Sequence, residues 1–367
     1  MKIIALLALA AAMTAGATNA TAITPVSDAP AGLRTAPLSI GGRVQLEGDP
    51  AQPTYRYQWP GTYFETAFKG SEIYFKVGTG NQILHLVVDG ETLPPLVKPA
   101  PGLYRVDGLT KGKHQVALQV ATESQAGPDT FQGFALPPQA HALKTKPRNR
   151  QIEFIGDSHT VGYGNISPTR QCTDDDVWAT TDNTQAFATL TARHYAADYQ
   201  VSAISGHGIV RNYNGGPGDP VPVAYPFTLF DKKTAYVNSA WSPRIIVIAL
   251  GTNDFSTPLN PGEKWPTHDA LQTDYETTYV KFLQHLKARY PGAFIVLWST
   301  AGGEIEPEVR KVLGQFEATG GTRTGYFPVS GLAMTGCNWH PSTADDQTIS
   351  GDLVQFIDSH PGIWAGK

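Results

Sequence analysis

Cysteine is scarce in this sequence, since Cys172 and Cys337 are the only two among 367 residues. So few thiols exclude the dense disulfide framework that stabilises small secreted modules. An even pair is still compatible with one disulfide, and in an exported protein we expect it to form. That bridge would close a loop of about 165 residues. Two buried free thiols are the alternative.

Charge of either sign is also sparse. Only 16% of the residues are charged, the formal net charge is -4, and no run of Lys or Arg occurs. This balance gives no electrostatic reason to expect nucleic acid or an anionic membrane as a partner. The 10 histidines form no close cluster with Asp or Glu at metal-binding spacing. We therefore expect a monomer without a metal or another cofactor.

Beyond the N-terminus, no apolar run is long enough to cross a bilayer. At the N-terminus itself, one lysine precedes a short apolar run that leads through small residues to Ala20-Thr21-Ala22. This pattern predicts a secretory signal peptide over residues 1–22, with cleavage after Ala22. The protein would then be exported to the periplasm or the extracellular space. An uncleaved anchor is the alternative, which the shortness of the apolar run disfavours.

After the predicted signal peptide, the pattern of residue types changes near residue 38. Residues 23–37 are rich in Pro, Ala, Thr and Ser without periodicity, so we expect a mobile lead-in. Residues 38–137 contain short runs of alternating apolar residues, such as 73–77 and 83–88, separated by glycine-containing turns. This pattern predicts a β-sandwich of jelly-roll type. The Pro- and Lys/Arg-containing residues 138–150 are predicted to form a linker or the last cover of the sandwich.

Residues 151–367 show a different pattern, in which strands alternate with helices. Nearly continuous apolar runs lie at 152–155, 201–204, 245–250 and 294–298, with helical stretches at 184–195 and 269–289 between them. The alternation predicts an α/β fold, a three-layer α/β/α domain around a parallel sheet. In such domains the ligand crevice lies at the carboxyl ends of the strands.

Polar motifs follow several of these predicted strands. Gly156-Asp157-Ser158 follows the first strand, Gly206 the second and Asn253 the third, while His340 lies in a late loop. Taken singly, each has an ordinary structural explanation as a turn, a helix cap or a buried histidine. A serine nucleophile, however, needs a base and donors for the oxyanion. The placement of all four at strand ends or in one loop favours that chemistry.

The same motifs resemble the four sequence blocks of the SGNH (GDSL-like) hydrolases, and the resemblance covers residues 151–367. The matching motifs are Gly156-Asp157-Ser158, Gly206, Gly251-Thr252-Asn253 and His340-Pro341. Together with the preceding sandwich, the motifs at 337–341 and 208–213 look most like carbohydrate esterase family 2. Members of that family pair a jelly-roll domain with the hydrolase domain and remove acetyl groups from plant polysaccharides.

The resemblance implies a role for each residue. Ser158 would attack the acetyl carbonyl, and His340 would transfer the proton. The backbone N–H groups of Ser158 and Gly206, with the side chain of Asn253, would bind the oxyanion. No metal is needed for this reaction.

The candidate substrate-binding residues are Trp339, Tyr213 and Asp157. Trp339 is the strongest candidate because it precedes the base, and Tyr225 and Trp265 lie in comparable loops. Ordinary packing is the alternative for each aromatic residue. The alternative for Asp157, as for its counterpart Asp254 beside Asn253, is bracing of the loop through backbone N–H groups.

One feature departs from the superfamily pattern. Many relatives have an acid shortly before the base histidine, but here the corresponding positions are Cys337 and Asn338. We therefore predict a Ser-His dyad in which a backbone carbonyl or the Asn338 side chain holds the imidazole. Asp345 and Asp346 follow His340, but we expect them to cap the last helix or to be solvated.

Three hypotheses follow. The first is a secreted esterase that removes O-acetyl groups from xylan, mannan or glucomannan through an acetyl-enzyme, with an acetylated polysaccharide or oligosaccharide as its partner. The second is a lipase- or thioesterase-like acyl hydrolase of the same fold. The third is a carbohydrate-binding protein with weak catalysis, in which the missing acid marks a lost activity.

Overall fold

The computed structural model describes residues 21–49 and 52–365. Residues 1–20, which make up most of the predicted signal peptide, lie outside the described residues. Within the described ranges, no helix combines the length and apolar character needed to cross a membrane.

Two antiparallel sheets form the N-terminal domain. The first has the order β1-β11-β7-β13-β5-β4 with β2 on β13, and the second has the order β10-β8-β12-β6-β14 with β3 on β6 and β9 on β8. The strands are β1 (Ala22–Val26), β2 (Arg34–Thr35), β3 (Ser39–Gly41), β4 (Val44–Asp49), β5 (Gln52–Tyr57), β6 (Tyr63–Gly70), β7 (Ile73–Val77), β8 (Ile83–Val88), β9 (Glu91–Thr92), β10 (Leu96–Val97), β11 (Gly102–Asp107), β12 (Gly112–Val120), β13 (Asp129–Leu136) and β14 (His141–Leu143).

Alternation of side chains builds the core between these sheets. In β12, Val116, Leu118 and Val120 are buried, whereas Gln115 is exposed. Buried aromatic residues from both sheets, including Phe64 and Phe131, complete the same cluster. Each such side chain contributes roughly 1.5–3 kcal/mol when it leaves water. The predicted β-sandwich is confirmed.

The sandwich extends past its predicted boundaries, residues 38 and 137, at both ends. The lead-in assigned to residues 23–37 includes β1, which pairs with β11, and β2, which pairs with β13. Residues 138–150 include β14, which pairs with β6 and so covers the sandwich, the second of the two predicted roles. None of these three strands carries a fully buried side chain, so no periodic apolar pattern marks them in the sequence. Pro25 is tolerated because β1 is an edge strand.

A parallel sheet of five strands forms the centre of the second domain, with the order β16-β15-β17-β18-β19. The strands are β15 (Gln151–Gly156), β16 (Asp198–Ala203), β17 (Ile245–Ala249), β18 (Phe294–Thr300) and β19 (Thr324–Val329). Four of them match the predicted runs. The fifth, β19, was not predicted, because it is an edge strand that contains Gly325 and Pro328 and is only partly buried.

Helices cover both faces of this sheet, as the α/β/α prediction requires. They are α1 (Ser158–Val161), α2 (Asp174–Thr180), α3 (Phe187–His194), α4 (Val221–Ala224), α5 (Thr252–Phe255), α6 (His268–Arg289), α7 (Ile305–Ala318) and α8 (Thr343–Asp358), and short 3₁₀ helices lie at Asn183–Gln185, Tyr213–Gly215 and Cys337–Trp339. Residues of α3 and α8 pack on one face of the sheet, and residues of α6 and α7 pack on the other. The predicted fold class is confirmed.

A buried ion pair joins the two domains. Arg43, from the sandwich, is 1% exposed and places Nη2 3.0 Å from Glu153 Oε1 on β15. Its guanidinium also lies over the rings of Trp59 and Tyr225. Glu153 is fully buried and also accepts from Ser202 Oγ and Trp241 Nε1, so both of its carboxylate oxygens have hydrogen-bond donors. The sandwich is therefore packed firmly against the strand that leads to Ser158.

Candidate active site

Ser158 lies at the carboxyl end of β15, as the first residue of α1. The preceding Asp157 caps this short helix by accepting a hydrogen bond from His159 N at 3.1 Å. The Ser158 hydroxyl Oγ lies 2.8 Å from His340 Nε2. Two residues that are 182 positions apart are thus in hydrogen-bond contact at the edge of the sheet where the sequence placed them.

The loop that carries His340 is anchored from several directions. A disulfide joins Cys337 to Cys172, and Asn338 N donates to Arg170 O at 2.7 Å. Asn338 and Trp339 both have left-handed backbone conformations, with φ of 49° and 59°. Such conformations are unfavourable for residues other than glycine, so the surrounding contacts must hold them. After the loop, α8 begins with a capping box.

Backbone carbonyls hold the imidazole of His340. Its Nδ1 lies 3.0 Å from Cys337 O and 3.1 Å from Asn338 O. Carbonyl oxygens only accept, so Nδ1 carries the proton and Nε2 is left to accept from the Ser158 hydroxyl. Of the two anchors that the sequence suggested, the structure thus shows the backbone one. The Asn338 side chain instead donates toward Tyr163 Oη at 3.4 Å.

The downstream acids do not contact the ring in this structure. Asp345 forms the capping box with Ser342 and accepts from the backbone of residues 333 and 334, as expected for a capping residue. Asp346 is not solvated, contrary to the expectation. It is fully buried, where it accepts from Asn165 Nδ2 and Phe187 N, and burial raises its pKa to about 7.

Burial also sets the charge state of the candidate base. Desolvation lowers the pKa of His340, although its hydrogen bonds to the two carbonyls act in the opposite direction. The neighbouring His159 ring packs edge-on at 5.4 Å between centroids, and burial lowers its pKa to about 3. Tyr163 covers His340 at a centroid distance of 4.3 Å. At neutral pH both imidazoles are uncharged, so Nε2 is free to take a proton.

Backbone donors lie on the other side of Ser158. Gly206 follows β16 with φ +82°, and a Cβ on it would meet no atom within 4 Å. The space beside this peptide is therefore open. Across the described part of the chain, the backbone N–H groups of Ser158 and Gly206 have no hydrogen-bond acceptor within the protein. Both are available to an oxygen atom that approaches the serine.

Asn253 occupies the same edge, at the point after β17 where the strand order reverses. Its Nδ2 donates to Asp157 Oδ2 at 3.1 Å and to His207 O at 3.0 Å. Both amide protons thus have acceptors in the resting structure. Burial raises the pKa of Asp157 to about 7.

Asp157 is 1% exposed, and its carboxylate is occupied by protein donors. Its candidate role in direct substrate binding is therefore wrong, and the bracing alternative fits. Asp254 braces the next loop in the same way, accepting from the N–H groups of Ile209, Val210 and Arg211 at 2.9–3.1 Å. Burial raises the pKa of Asp254 to about 6, and these three bonds oppose the shift.

Two of the four predicted aromatic residues are exposed near the site. Trp339 is 60% exposed and adjacent to His340, and Tyr213 is 57% exposed with its N–H bonded to Gly206 O at 2.8 Å. Tyr225, in contrast, is completely buried beneath Arg43 and cannot contact a substrate. The indole N–H of Trp265 is bonded to Asp274 on α6, at 2.9 Å.

Sequence reasoning missed residues that support the site from a distance. Arg170 donates from Nε to Met334 O at 2.8 Å and so holds the loop before His340. Glu123 and Gln125, in the sandwich, contact Ser205 beside Gly206. These residues have no motif of their own, and nothing in the sequence relates a sandwich loop to a strand end of the second domain.

An α/β/α domain with a serine–histidine contact at the carboxyl edge of its sheet, preceded by a β-sandwich, defines a two-domain GDSL-like ester hydrolase. Comparison with known families agrees for both domains. The family described as "Carbohydrate esterase 2 N-terminal" matches residues 40–145, and the "GDSL-like Lipase/Acylhydrolase family" matches residues 154–338. The chain belongs to the carbohydrate esterase 2 family.

Individual relatives show the extent of the similarity. An acetylxylan esterase / glucomannan deacetylase of Cellvibrio japonicus (strain Ueda107) is 45% identical over 332 residues, which cover 89% of this chain and 92% of that protein. The cellulase/esterase CelE of Acetivibrio thermocellus is 31% identical over 89% of this chain but only 40% of its own length.

Solved structures share both domains. A carbohydrate esterase described as having an active site with divergent catalytic and non-catalytic binding functions aligns with a TM-score of 0.86 and 43% identity, covering 90% of this chain and all of that one. A family two carbohydrate esterase from Clostridium thermocellum, in complex with cellohexaose, aligns with a TM-score of 0.77 and 29% identity, covering 89% of this chain and 100% of that one.

Proposed function

We propose that this protein is an exported esterase that removes O-acetyl groups from xylan or glucomannan, with Ser158 as nucleophile and His340 as base. The single observation that carries the mechanism is the 2.8 Å contact between Ser158 Oγ and His340 Nε2. The carbonyl anchors at Nδ1 support it, because they leave Nε2 as the acceptor.

The reaction would proceed through an acetyl-enzyme. His340 Nε2 takes the proton of the Ser158 hydroxyl as Oγ attacks the acetyl carbonyl, and a tetrahedral oxyanion forms. The oxyanion accepts hydrogen bonds from the N–H groups of Ser158 and Gly206. When it collapses, the C–O bond to the sugar breaks and His340 gives its proton to the sugar oxygen. Water, deprotonated by the same ring, then hydrolyses the acetyl-serine.

Asn253 would supply a third donor to the oxyanion. Both of its amide protons have acceptors in the resting structure, so one of them must be shared. The oxyanion is a stronger acceptor than the neutral carbonyl of His207, because charged acceptors form roughly twice as strong a hydrogen bond. Losing one such donor typically costs about 2.7–4 kcal/mol of transition-state stabilisation.

A dyad without an acid is chemically sufficient here. In serine proteases, replacing the acid by an amide is costly because it selects the wrong imidazole tautomer. The two carbonyls that face His340 Nδ1 cannot donate a proton, so they select the productive tautomer. What they lack is a full negative charge to stabilise the imidazolium, and an acetyl ester is easier to cleave than an amide.

The substrate class rests on the exposed aromatic residues and on the relatives. Trp339, next to His340, and Tyr213, bonded to Gly206, present large apolar rings to solvent, where a sugar face can stack. Acetylxylan and glucomannan are the substrates named for the Cellvibrio japonicus relative. Export rests on the signal-peptide pattern of residues 1–22 and on the disulfide, which persists in an oxidising compartment.

The test is release of acetate from acetylated xylan and acetylated glucomannan by purified protein. Ser158→Ala and His340→Ala should each lower the rate by about 10³-fold or more. His194→Ala, which removes an exposed histidine on α3, is the matched control and should leave the rate unchanged. Faster hydrolysis of 4-nitrophenyl decanoate than of 4-nitrophenyl acetate would favour a lipase-like enzyme. A wild-type protein that releases no acetate from either glycan would overturn the proposal.

A further inference from the structure

The loop between β12 and β13 of the sandwich reaches the strand end that carries Gly206. Glu123 accepts a hydrogen bond from Ser205 N at 2.7 Å, and Gln125 Nε2 donates to Ser205 O at 2.9 Å. The two side chains also contact each other, since Gln125 Nε2 lies 3.2 Å from Glu123 Oε1. Both backbone polar groups of Ser205 are thus bound by the other domain.

The bond to Ser205 O matters because of peptide geometry. The carbonyl of Ser205 and the N–H of Gly206 belong to one planar trans unit, so they point in opposite directions. A donor that fixes the carbonyl therefore fixes the direction of the Gly206 N–H. Hydrogen bonding at the oxygen also polarises the amide and strengthens its N–H as a donor.

Few protein atoms contact the Ser205–Gly206 peptide on the side that faces open space. Gly206 has φ +82°, and nothing lies within 4 Å of where its Cβ would be. Glycine has the greatest backbone freedom of any residue. Without a partner for Ser205 O, rotation of the Ser205–Gly206 peptide would turn the N–H away from Ser158. On its other side, Gly206 O is bonded to Tyr213 N.

The sandwich loop is itself firmly held, so it can act as a support. Ala121 O accepts from Asn183 N of the second domain at 2.8 Å, and Ser124 Oγ donates to Asp129. Burial raises the pKa of Glu123, while its hydrogen bond with Ser205 N opposes the shift. The loop is therefore held to both domains close to Gln125.

We propose that Gln125, supported by Glu123, is a positioning residue of the N-terminal domain that orients the Ser205–Gly206 peptide for oxyanion stabilisation. The sandwich would then contribute to catalysis directly, in addition to any role in glycan binding. This inference rests on the proposed function in one respect, that the Gly206 N–H serves the oxyanion.

The test compares kcat and KM for 4-nitrophenyl acetate among Gln125→Ala, Gln125→Glu, Glu123→Ala and Glu123→Gln. Gln125→Ala should lower kcat about tenfold with little change in KM, a smaller loss than removal of a donor itself. In Gln125→Glu the new side chain has nearly the same shape, but its carboxylate repels Ser205 O. Its kcat should therefore fall at least as much as that of Gln125→Ala. Glu123→Gln keeps an acceptor for Ser205 N and should recover most of the activity that Glu123→Ala loses.

A second measurement separates positioning from folding. The rate at which a 4-nitrophenyl phosphonate modifies Ser158 should fall in parallel with kcat, because its phosphoryl oxygen occupies the oxyanion position. Gln132→Ala is the matched control, since the Gln132 side chain donates to Thr54 Oγ1 within the sandwich. Its kcat and phosphonylation rate should equal those of the wild type.

Wild-type kcat in Gln125→Ala and Gln125→Glu would overturn the inference. So would losses of kcat that follow the melting temperature and appear equally in Gln132→Ala. The comparison is made on 4-nitrophenyl acetate so that it does not depend on the glycan. A wild-type protein that cleaves this ester but releases no acetate from xylan or glucomannan would overturn the proposed substrate. The role of Gln125 would still be tested by the kcat values of the same variants.

Discussion

Replacing both disulfide cysteines by alanine should destabilise the protein strongly while sparing much of its catalysis. Cys172 and Cys337 are 165 positions apart. For a loop of that length, chain entropy gives about 17 cal/mol/K, or about 5 kcal/mol at 25 °C. With an unfolding entropy of about 2.1 cal/mol/K per residue, a chain of 367 residues should lose about 7 °C in melting temperature.

Catalysis should be less affected because the loop has other anchors. Asn338 N remains bonded to Arg170 O at 2.7 Å, and the Arg170 side chain still holds Met334 O. We therefore expect kcat/KM at 25 °C to fall less than tenfold. These bonds come from the segment that also carries Cys172, so some loss is expected as that segment loosens.

The assay is urea denaturation and thermal melting of the wild type and of Cys172→Ala/Cys337→Ala, with kcat/KM measured on 4-nitrophenyl acetate. Wild type reduced and alkylated under native conditions is the matched comparison. A stability difference below about 1 kcal/mol would refute the entropy argument. Titration of two free thiols in the untreated protein would refute the disulfide itself.

Three further predictions concern the domain contact, the base and the aromatic residues. Arg43→Met should cost about 3–5 kcal/mol in urea denaturation because it removes the cation that pairs with the buried Glu153, and a second change, Glu153→Leu, should recover part of that loss. The acid limb of kcat/KM should have its midpoint below pH 6.5, since burial lowers the pKa of His340 from 6.5 and only the neutral ring accepts a proton; a midpoint above pH 7 would contradict this. Trp339→Ala should raise KM for acetylated xylo-oligosaccharides about twofold to tenfold, with KM for 4-nitrophenyl acetate unchanged, if stacking contributes about 0.5–1.5 kcal/mol. Tyr213→Ala should behave in the same way.

The sequence predicted the elements whose stability comes from buried side chains. The runs at 152–155 and 245–250 became β15 and β17, because strands buried on both faces need continuous apolar residues. It failed for strands with few buried side chains. β2 and β14 have two and three residues, β1 contains Pro25 and no fully buried residue, and β19 is a partly exposed edge strand, so none shows a periodic pattern.

The candidate site also contains features that the sequence predicted and features that it did not. Ser158, Gly206 and Asn253 were predictable because each follows a recognisable strand and the carboxyl ends of parallel strands share one edge. The burial of Asp157 and Asp346 was not predictable, since a carboxylate in a polar motif looks the same whether it faces solvent or protein donors. Only the folded structure shows that both are enclosed and already hydrogen bonded.

The contacts between the domains suggest why the sandwich and the hydrolase domain occur together. Arg43 pairs with Glu153 on β15, five residues before Ser158, while Gln125 binds the Ser205–Gly206 peptide. One contact fixes the strand that leads to the proposed nucleophile, and the other fixes the peptide of a proposed oxyanion donor. A site that depends on donors held in place before the reaction gains most from rigid support at these two points. Because His340 Nδ1 faces two carbonyls rather than an acid, that support is more important under the proposed mechanism, since the oxyanion donors must supply more of the stabilisation.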